Sequence, residues 1–151
     1  MVRRLFRRGP ESAVDAGMAS IHEEVLVNVS PAQVWDAMRD VGQIHLRLVP
    51  GFVIDCRLDG EVRTVTFGNG MVVREPIIDI DEKRRRVSWA AVGEQFAHYN
   101  ASLQVFDEGE KSRIVWISDF LPHALAETVG AMTKQALATM KQTLERAASA
   151  R

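Results

Sequence analysis

The chain has 151 residues, of which 46% are hydrophobic, with a formal net charge of −1 and one cysteine. This length and apolar fraction predict a single domain with a sizeable core. The near-zero net charge argues against nucleic acid as the main partner. The lone cysteine, Cys56, excludes an internal disulfide and a cysteine-rich metal site. No apolar run has the length of a membrane span, and cysteine is scarce, so we expect a cytoplasmic protein.

Residues 1–19 are expected to form a flexible basic tail ahead of a single domain at residues 20–148. Gly9-Pro10 interrupts any helix in this segment. An anionic membrane surface is one contact that a basic segment offers, but a disordered chain end is the interpretation that we favour. The basic residues of the tail are Arg3, Arg4, Arg7 and Arg8.

The domain is predicted to open with one strand and two short helices. Apolar residues alternate along 21–29, which indicates a strand with one buried face. Ser30 and Pro31 then supply a typical helix start, with serine as the N-cap and proline in the first turn. A second short helical piece is predicted at 43–48.

Six further strands are predicted in the middle of the chain. Asp59-Gly60 and Gly68-Asn69-Gly70 lie between alternating runs and are typical of tight hairpins. Strands that follow one another at about ten-residue spacing with tight turns between them indicate an antiparallel meander. The predicted strands cover residues 52–58, 61–67, 71–80, 84–92, 96–106 and 112–120.

A long helix is predicted from Pro122 to about Ala147. Its apolar residues recur every three or four positions and form one stripe. A curved antiparallel sheet cannot bury its concave face alone, and this helix is long enough to cover that face. The stripe consists of Leu125, Val129, Met132, Ala136, Met140 and Leu144.

The order of these elements resembles the helix-grip superfamily. The segments that carry the resemblance are VLVNVSPAQVWDAM, REPIIDIDEKRRRVSW and SRIVWISDFLP, the last one directly before the long helix. This superfamily includes START domains, the major birch pollen allergen, bacterial polyketide cyclase/dehydrase and lipid-transport-like proteins, and plant abscisic acid receptors. The resemblance implies an α+β fold in which a curved antiparallel sheet of about seven strands wraps around the C-terminal helix, with two short helices after the first strand.

The resemblance also implies a deep apolar cavity between the sheet and the long helix, entered past the loops at 68–70 and 95–98. Abscisic acid receptors have gate and latch loops at these places, but this chain lacks their characteristic residues, so hormone binding is not expected. We expect the cavity to bind a lipid, a polyketide or an aromatic metabolite. The residues expected to line it are Phe67, Met71, Trp89, Phe96, Tyr99, Trp116, Val129, Met132 and Ala136.

Two other functions fit the sequence. A polyketide aromatase/cyclase would use the polar strand positions His98 and Tyr99, as an acid/base and as a group that orients a ligand carbonyl. Neighbouring strand residues face opposite sides, so the two side chains cannot both enter the cavity. A protein-binding module would instead show a large exposed apolar patch and no accessible cavity.

No metal and no cofactor are expected. The histidines at 22, 45 and 123 lack the spacing of a zinc motif, and the chain has no P-loop or dinucleotide fingerprint. Glu23 interrupts the apolar face of the first strand and needs a partner if that face is buried. Arginine is the expected partner, although the candidate arginines are otherwise interpreted as exposed strand positions. They are Arg63, Arg74 and Arg113.

Overall fold

The computed structural model describes residues 19–150, which form a curved seven-stranded antiparallel sheet with a long helix across it. The strand order in the sheet is β1-β7-β6-β5-β4-β3-β2, so the helix-grip fold is confirmed. The strands are β1 (Ser20–Val27), β2 (Val53–Asp59), β3 (Val62–Phe67), β4 (Val72–Asp81), β5 (Arg86–Ala90), β6 (His98–Glu108) and β7 (Lys111–Leu121). The helices are α1 (Pro31–Met38), α2 (Ile44–Arg47) and α3 (Ala126–Ser149).

The predicted basic tail lies outside the described residues, except for Ala19. None of the helices within residues 19–150 is long and apolar enough to cross a membrane.

The first strand forms one edge of the sheet and pairs with the last strand. Its register runs from Ser20 opposite Asp119 to Val27 opposite Ser112. Ser112 is fully buried at the end of this pairing, and its hydroxyl donates to the Val29 carbonyl at 2.7 Å. The first and last strands are therefore joined along the whole length of β1, and the buried Ser112–Val29 hydrogen bond lies at the end of this pairing.

The start of α1 follows the predicted capping pattern. The Ser30 hydroxyl accepts from the Gln33 N–H at 3.4 Å, and Pro31 occupies the first turn. The α2 helix is a single turn, shorter than predicted. Arg47 at its end bonds to Asp36 of α1 at 2.7 Å and to Asp40 at 3.0 Å, which ties the two short helices together.

The long helix begins slightly later than the sequence suggested. Pro122 has an extended ψ of 159°, so the chain turns only at the 3-10 turn His123–Leu125 and becomes α-helical at Ala126. One face of α3 is buried against the sheet, as the apolar stripe predicted. The buried residues of α3 are Val129, Thr133, Ala136, Leu137, Met140 and Leu144.

Two irregularities bend the sheet. The strand register shifts between Val53 and Asp55 in β2 and between Ile77 and Asp79 in β4. An extra residue in one strand increases the local twist and bends the strand. These shifts lie in the half of the sheet that does not pair with β1, so this half has two local causes of curvature.

Replacing Ser112 with alanine is expected to lower the free energy of unfolding by about 1–3 kcal/mol, because the buried Val29 carbonyl loses its donor. Urea unfolding measures this change. Ser149→Ala is the control, since the Ser149 hydroxyl is exposed and bonds within its own helix to Glu145. That variant should stay within about 0.5 kcal/mol of the wild type. Equal losses in the two variants would contradict the structural role of Ser112.

Candidate ligand-binding cavity

A cavity lies between the concave face of the sheet and α3. Its volume is about 120 Å³, roughly ten times the 10–15 Å³ that one water molecule needs. Strands β2 to β7, all three helices and the adjoining loops contribute to its wall. The structure places all nine residues predicted from the sequence in that wall, namely Phe67, Met71, Trp89, Phe96, Tyr99, Trp116, Val129, Met132 and Ala136.

Aromatic rings form much of the wall and pack on one another in pairs. Trp89 and Trp116 meet edge to face, with ring centroids 5.5 Å apart. Phe52 and Phe67 do the same at 5.6 Å. Such edge-to-face contacts are favourable arrangements for aromatic pairs, so these four rings are held in place by their neighbours.

The two loops expected at the entrance contact each other. The Gln95 amide donates to the sulfur of Met71 at 3.1 Å, and both Met71 and Phe96 line the cavity. The loop before Met71 is fixed against the turn that precedes β2. A Cβ atom on Gly68 would lie 2.5 Å from the Gly51 carbonyl oxygen, so this close approach requires glycine.

A buried ion pair, Arg63 with Glu75, lies in the otherwise apolar wall. The two residues are only 4% and 7% exposed. The Arg63 Nε–H donates to Glu75 Oε1 at 2.8 Å, and Nη1 donates to the Val41 carbonyl at 3.1 Å. The guanidinium also lies over the Trp89 ring, 5.2 Å from its centroid. Both Nε and Nη1 of Arg63 therefore have hydrogen-bond acceptors inside the protein.

The interpretation of Arg63 as an exposed strand position is wrong. Arg63 shares the concave face of β3 with Val65 and Phe67, and the hairpin register places it directly opposite Glu75 on β4. The turn centred on Asn69 could have revealed this pairing, because positions equally far from it face each other. Only this register indicates that Glu75 is buried, since a glutamate by itself is typical of an exposed strand position.

Burial is the largest cause of the pKa shifts of two side chains on this wall, Glu75 and Tyr99. Burial raises the pKa of the Glu75 carboxyl, although the charge of Arg63 and hydrogen bonds from Arg63 and Trp89 oppose the rise. Burial likewise raises the pKa of the Tyr99 hydroxyl, and the negative charge of Glu75 adds to this effect. Tyr99 therefore keeps its proton at neutral pH and can donate a hydrogen bond.

Two polar atoms beside Tyr99 are buried without a partner of good geometry among the described residues. They are the indole nitrogen Nε1 of Trp116 and the hydroxyl oxygen of Ser118. Both side chains lie close enough to the Tyr99 hydroxyl to offset part of the rise in its pKa. Trp116 lines the cavity, but its indole nitrogen is itself buried and lies beside the Tyr99 hydroxyl.

The two candidate catalytic residues lie on opposite faces of β6. Tyr99 lines the cavity, whereas His98 is exposed and does not line it. Of the two, only Tyr99 can contact a molecule inside the cavity.

The remaining charged candidates lie away from the cavity wall. Glu23 is half-buried, and its nearest cation is the Nζ of Lys134 at 4.0 Å, a lysine rather than the expected arginine. Arg113 pairs instead with Glu24 at 2.8 Å and with Glu108 at 3.0 Å. Within residues 19–150, no three His, Cys, Asp or Glu side chains come together as metal ligands would.

Residues 18–149 match the model of a family described as polyketide cyclase / dehydrase and lipid transport. The chain belongs to this family. No curated protein matches it in sequence.

Solved structures with the same fold include enzymes. A Bacillus thuringiensis protein superposes with a TM-score of 0.76 at 18% identity, covering 83% of this chain and 98% of that one. Norcoclaurine synthase from Thalictrum flavum gives 0.70 at 20%, covering 96% and 94%. The di-domain ARO/CYC protein BexL gives 0.73 at 15%, covering 85% of this chain and 47% of that one. These superpositions show a shared fold.

Removing one partner of the buried ion pair is expected to destabilise the fold strongly. Arg63→Met or Glu75→Met should each lower the free energy of unfolding by about 3–5 kcal/mol, because the remaining charge is buried and unpaired. The double variant should be more stable than either single variant. Urea unfolding of all four proteins gives the coupling energy.

An exposed ion pair provides the control for this series. Arg39 and Glu82 are about half exposed, so Arg39→Met should cost no more than about 1 kcal/mol. Additive losses at positions 63 and 75 would contradict a coupled pair.

Proposed function

We propose that this protein binds a hydrophobic small molecule, such as a lipid, a polyketide or an aromatic metabolite, between the sheet and α3. The cavity carries this proposal, because its wall consists almost entirely of aliphatic and aromatic side chains. Each Å² of apolar ligand surface that leaves water contributes about 25 cal/mol before the costs of association. The description of the family, which includes lipid transport, supports the same class of ligand.

The ligand would enter between the two loops that meet at Met71 and Gln95. A single contact from an amide to a thioether sulfur joins their side chains, and sulfur is a weak acceptor. Separating these side chains would therefore break this weak interaction.

Met132→Trp is expected to abolish ligand binding, because Met132 lines the cavity and a larger side chain would occupy the ligand's space. Ala138→Trp is the matched control, since Ala138 is exposed on the same helix. Native mass spectrometry of protein purified from its own host, followed by denaturing extraction, measures the bound molecule. A hydrophobic molecule should accompany the wild type and Ala138→Trp but not Met132→Trp.

A Met132→Trp protein that keeps the same ligand at the same affinity would contradict the proposed location. If nothing accompanies the wild type, a panel of lipids and aromatic compounds tests the proposal directly. A panel that leaves the melting temperature of the wild type unchanged would contradict binding itself.

A polyketide aromatase/cyclase is the second candidate, and the placement of Tyr99 favours it. Its protonated hydroxyl lies in the cavity wall, and the charge of Glu75 acts on it. In this reaction class the cavity would fold a poly-β-keto chain, and the Tyr99 hydroxyl would donate to a carbonyl oxygen as negative charge develops there. The protein-binding hypothesis predicted a large exposed apolar patch and no accessible cavity, so the cavity described above does not support it.

If the protein is such an enzyme, Tyr99→Phe should lower the turnover of a poly-β-keto thioester about 10²–10³-fold, the usual loss of one oxyanion donor. Binding should persist because the ring remains. His98→Ala is the control and should leave turnover unchanged, since His98 is exposed outside the cavity. Product formation followed by mass spectrometry distinguishes the variants, and undiminished turnover in Tyr99→Phe would rule out this role.

A further inference from the structure

We propose that β2 pairs with the β2 strand of a second copy of this chain, antiparallel and with the two Cys56 residues opposite each other. The two sheets would then join edge to edge around a twofold axis. This interface is independent of the proposed ligand binding, because it uses the outer edge of the sheet and not the cavity.

The two edges of the sheet differ in how their backbone is covered. At the end of β1, the Lys141 Nζ donates to the Leu26 carbonyl at 2.8 Å. The Glu145 carboxylate accepts from the Asn28 N–H at 2.8 Å. Helix α3 thus covers backbone groups at this edge, whereas β2 forms the opposite edge and pairs with one strand, β3. A strand edge with unpaired N–H and C=O groups is a template for pairing with another chain.

The turn between β2 and β3 determines which backbone groups of β2 face the open edge. It has two residues and begins with Gly60, whose φ is 62°, and the pair that closes it is Asp59 with Val62. In a two-residue hairpin the closing pair exchanges hydrogen bonds, and along an antiparallel strand these bonds alternate between the two sides. Counting back from Asp59, the backbone groups of Leu58 and Cys56 therefore point away from β3.

The backbone groups of Cys56 and Leu58 are available for a second strand. Within residues 19–150, no other strand or loop bonds to them. The Cys56 side chain is buried, with its sulfur 3.7 Å from the Val41 carbonyl oxygen, so the backbone of Cys56 is what it presents at the edge. In the proposed register, the two Cys56 residues would exchange a pair of hydrogen bonds.

The charges of β2 favour this register. Asp55 and Arg57 lie on one face, 3.3 Å apart, and their side chains are 48% and 83% exposed. When Cys56 lies opposite Cys56, Asp55 of each copy lies opposite Arg57 of the other, which gives two pairs of opposite charge. Such cross-strand pairs stabilise a sheet, whereas like charges destabilise it. The register shift of β2 ends at Asp55, so these central positions pair regularly.

Exposed apolar side chains and a low net charge also favour association of two copies. Ile54 and Leu58 are both about half exposed, and the register brings Leu58 of one copy toward Ile54 of the other at both ends. The formal net charge is −1, so two copies repel each other little at long range. The interface is only one strand of seven residues, and we therefore expect a weak dimer with a Kd of about 10 μM or higher.

Analytical ultracentrifugation of the full chain between about 10 μM and about 1 mM tests the dimer. The wild type should shift from monomer to dimer over this range. Arg57→Asp places two aspartates opposite each other at both pairs, and Asp55→Arg places two arginines there. Each single variant should raise the Kd of the dimer at least about tenfold.

Exchanging the two charges provides the decisive variant. In the double variant Asp55→Arg with Arg57→Asp, opposite charges face each other again, so its Kd should return to within about threefold of the wild-type value. An equimolar mixture of the two single variants should form mixed dimers for the same reason. Arg84→Asp is the control, since it makes the same charge change at an exposed arginine of the β4–β5 turn, and it should leave the Kd unchanged.

Hydrogen exchange of the wild type tests the backbone pairing without any substitution. The amides of Cys56 and Leu58 should exchange more slowly at the high concentration than at the low one. A wild type that stays monomeric throughout would overturn the inference and leave this edge to a strand of a different protein. A dimer that Arg57→Asp does not weaken, or that the charge exchange does not restore, would overturn the proposed register.

Discussion

The central constraint on this fold is the mismatch in width between the sheet and the helix that covers it. Seven strands about 4.8 Å apart span roughly 30 Å, whereas a helix with its side chains is about 10–12 Å across. The sheet must curl around α3, and the register shifts in β2 and β4 add curvature. Side chains then approach the helix from several strands without filling the space beside it, so the cavity is a consequence of the architecture.

The presence of the buried ion pair in the cavity wall is difficult to explain by a contribution to the stability of the fold. Replacing such a pair with apolar side chains is often neutral or stabilising, because desolvation opposes the attraction of the charges. Arg63 and Glu75 line the cavity rather than a tightly packed core. They are therefore next to the space that a ligand would occupy.

Much of the fold follows from local signals in the sequence. The hairpin turns at Asp59-Gly60 and Gly68–Gly70 and the cap at Ser30 determine where the elements begin and end. The strand predicted at 96–106 lies instead at His98–Glu108. Phe96 precedes this strand, in a loop that contributes to the cavity wall. Its inward face could not be derived from its own residues, since a slip of one position exchanges the two faces. The inward face of β6 is determined by its pairing with β7, in which Tyr99 lies opposite Phe120.

The hairpin of β3 and β4 explains why the apolar part of the site was easier to predict than its polar part. Apolar residues such as Phe67 and Val65 indicate a buried strand face by their residue type alone. Burial of Arg63 is indicated only by its register with Glu75. The four steps along β3 from Phe67 to Arg63 cover about 13 Å, from the entrance loop toward the Val41 carbonyl after α1. Along this path the wall changes from apolar to polar.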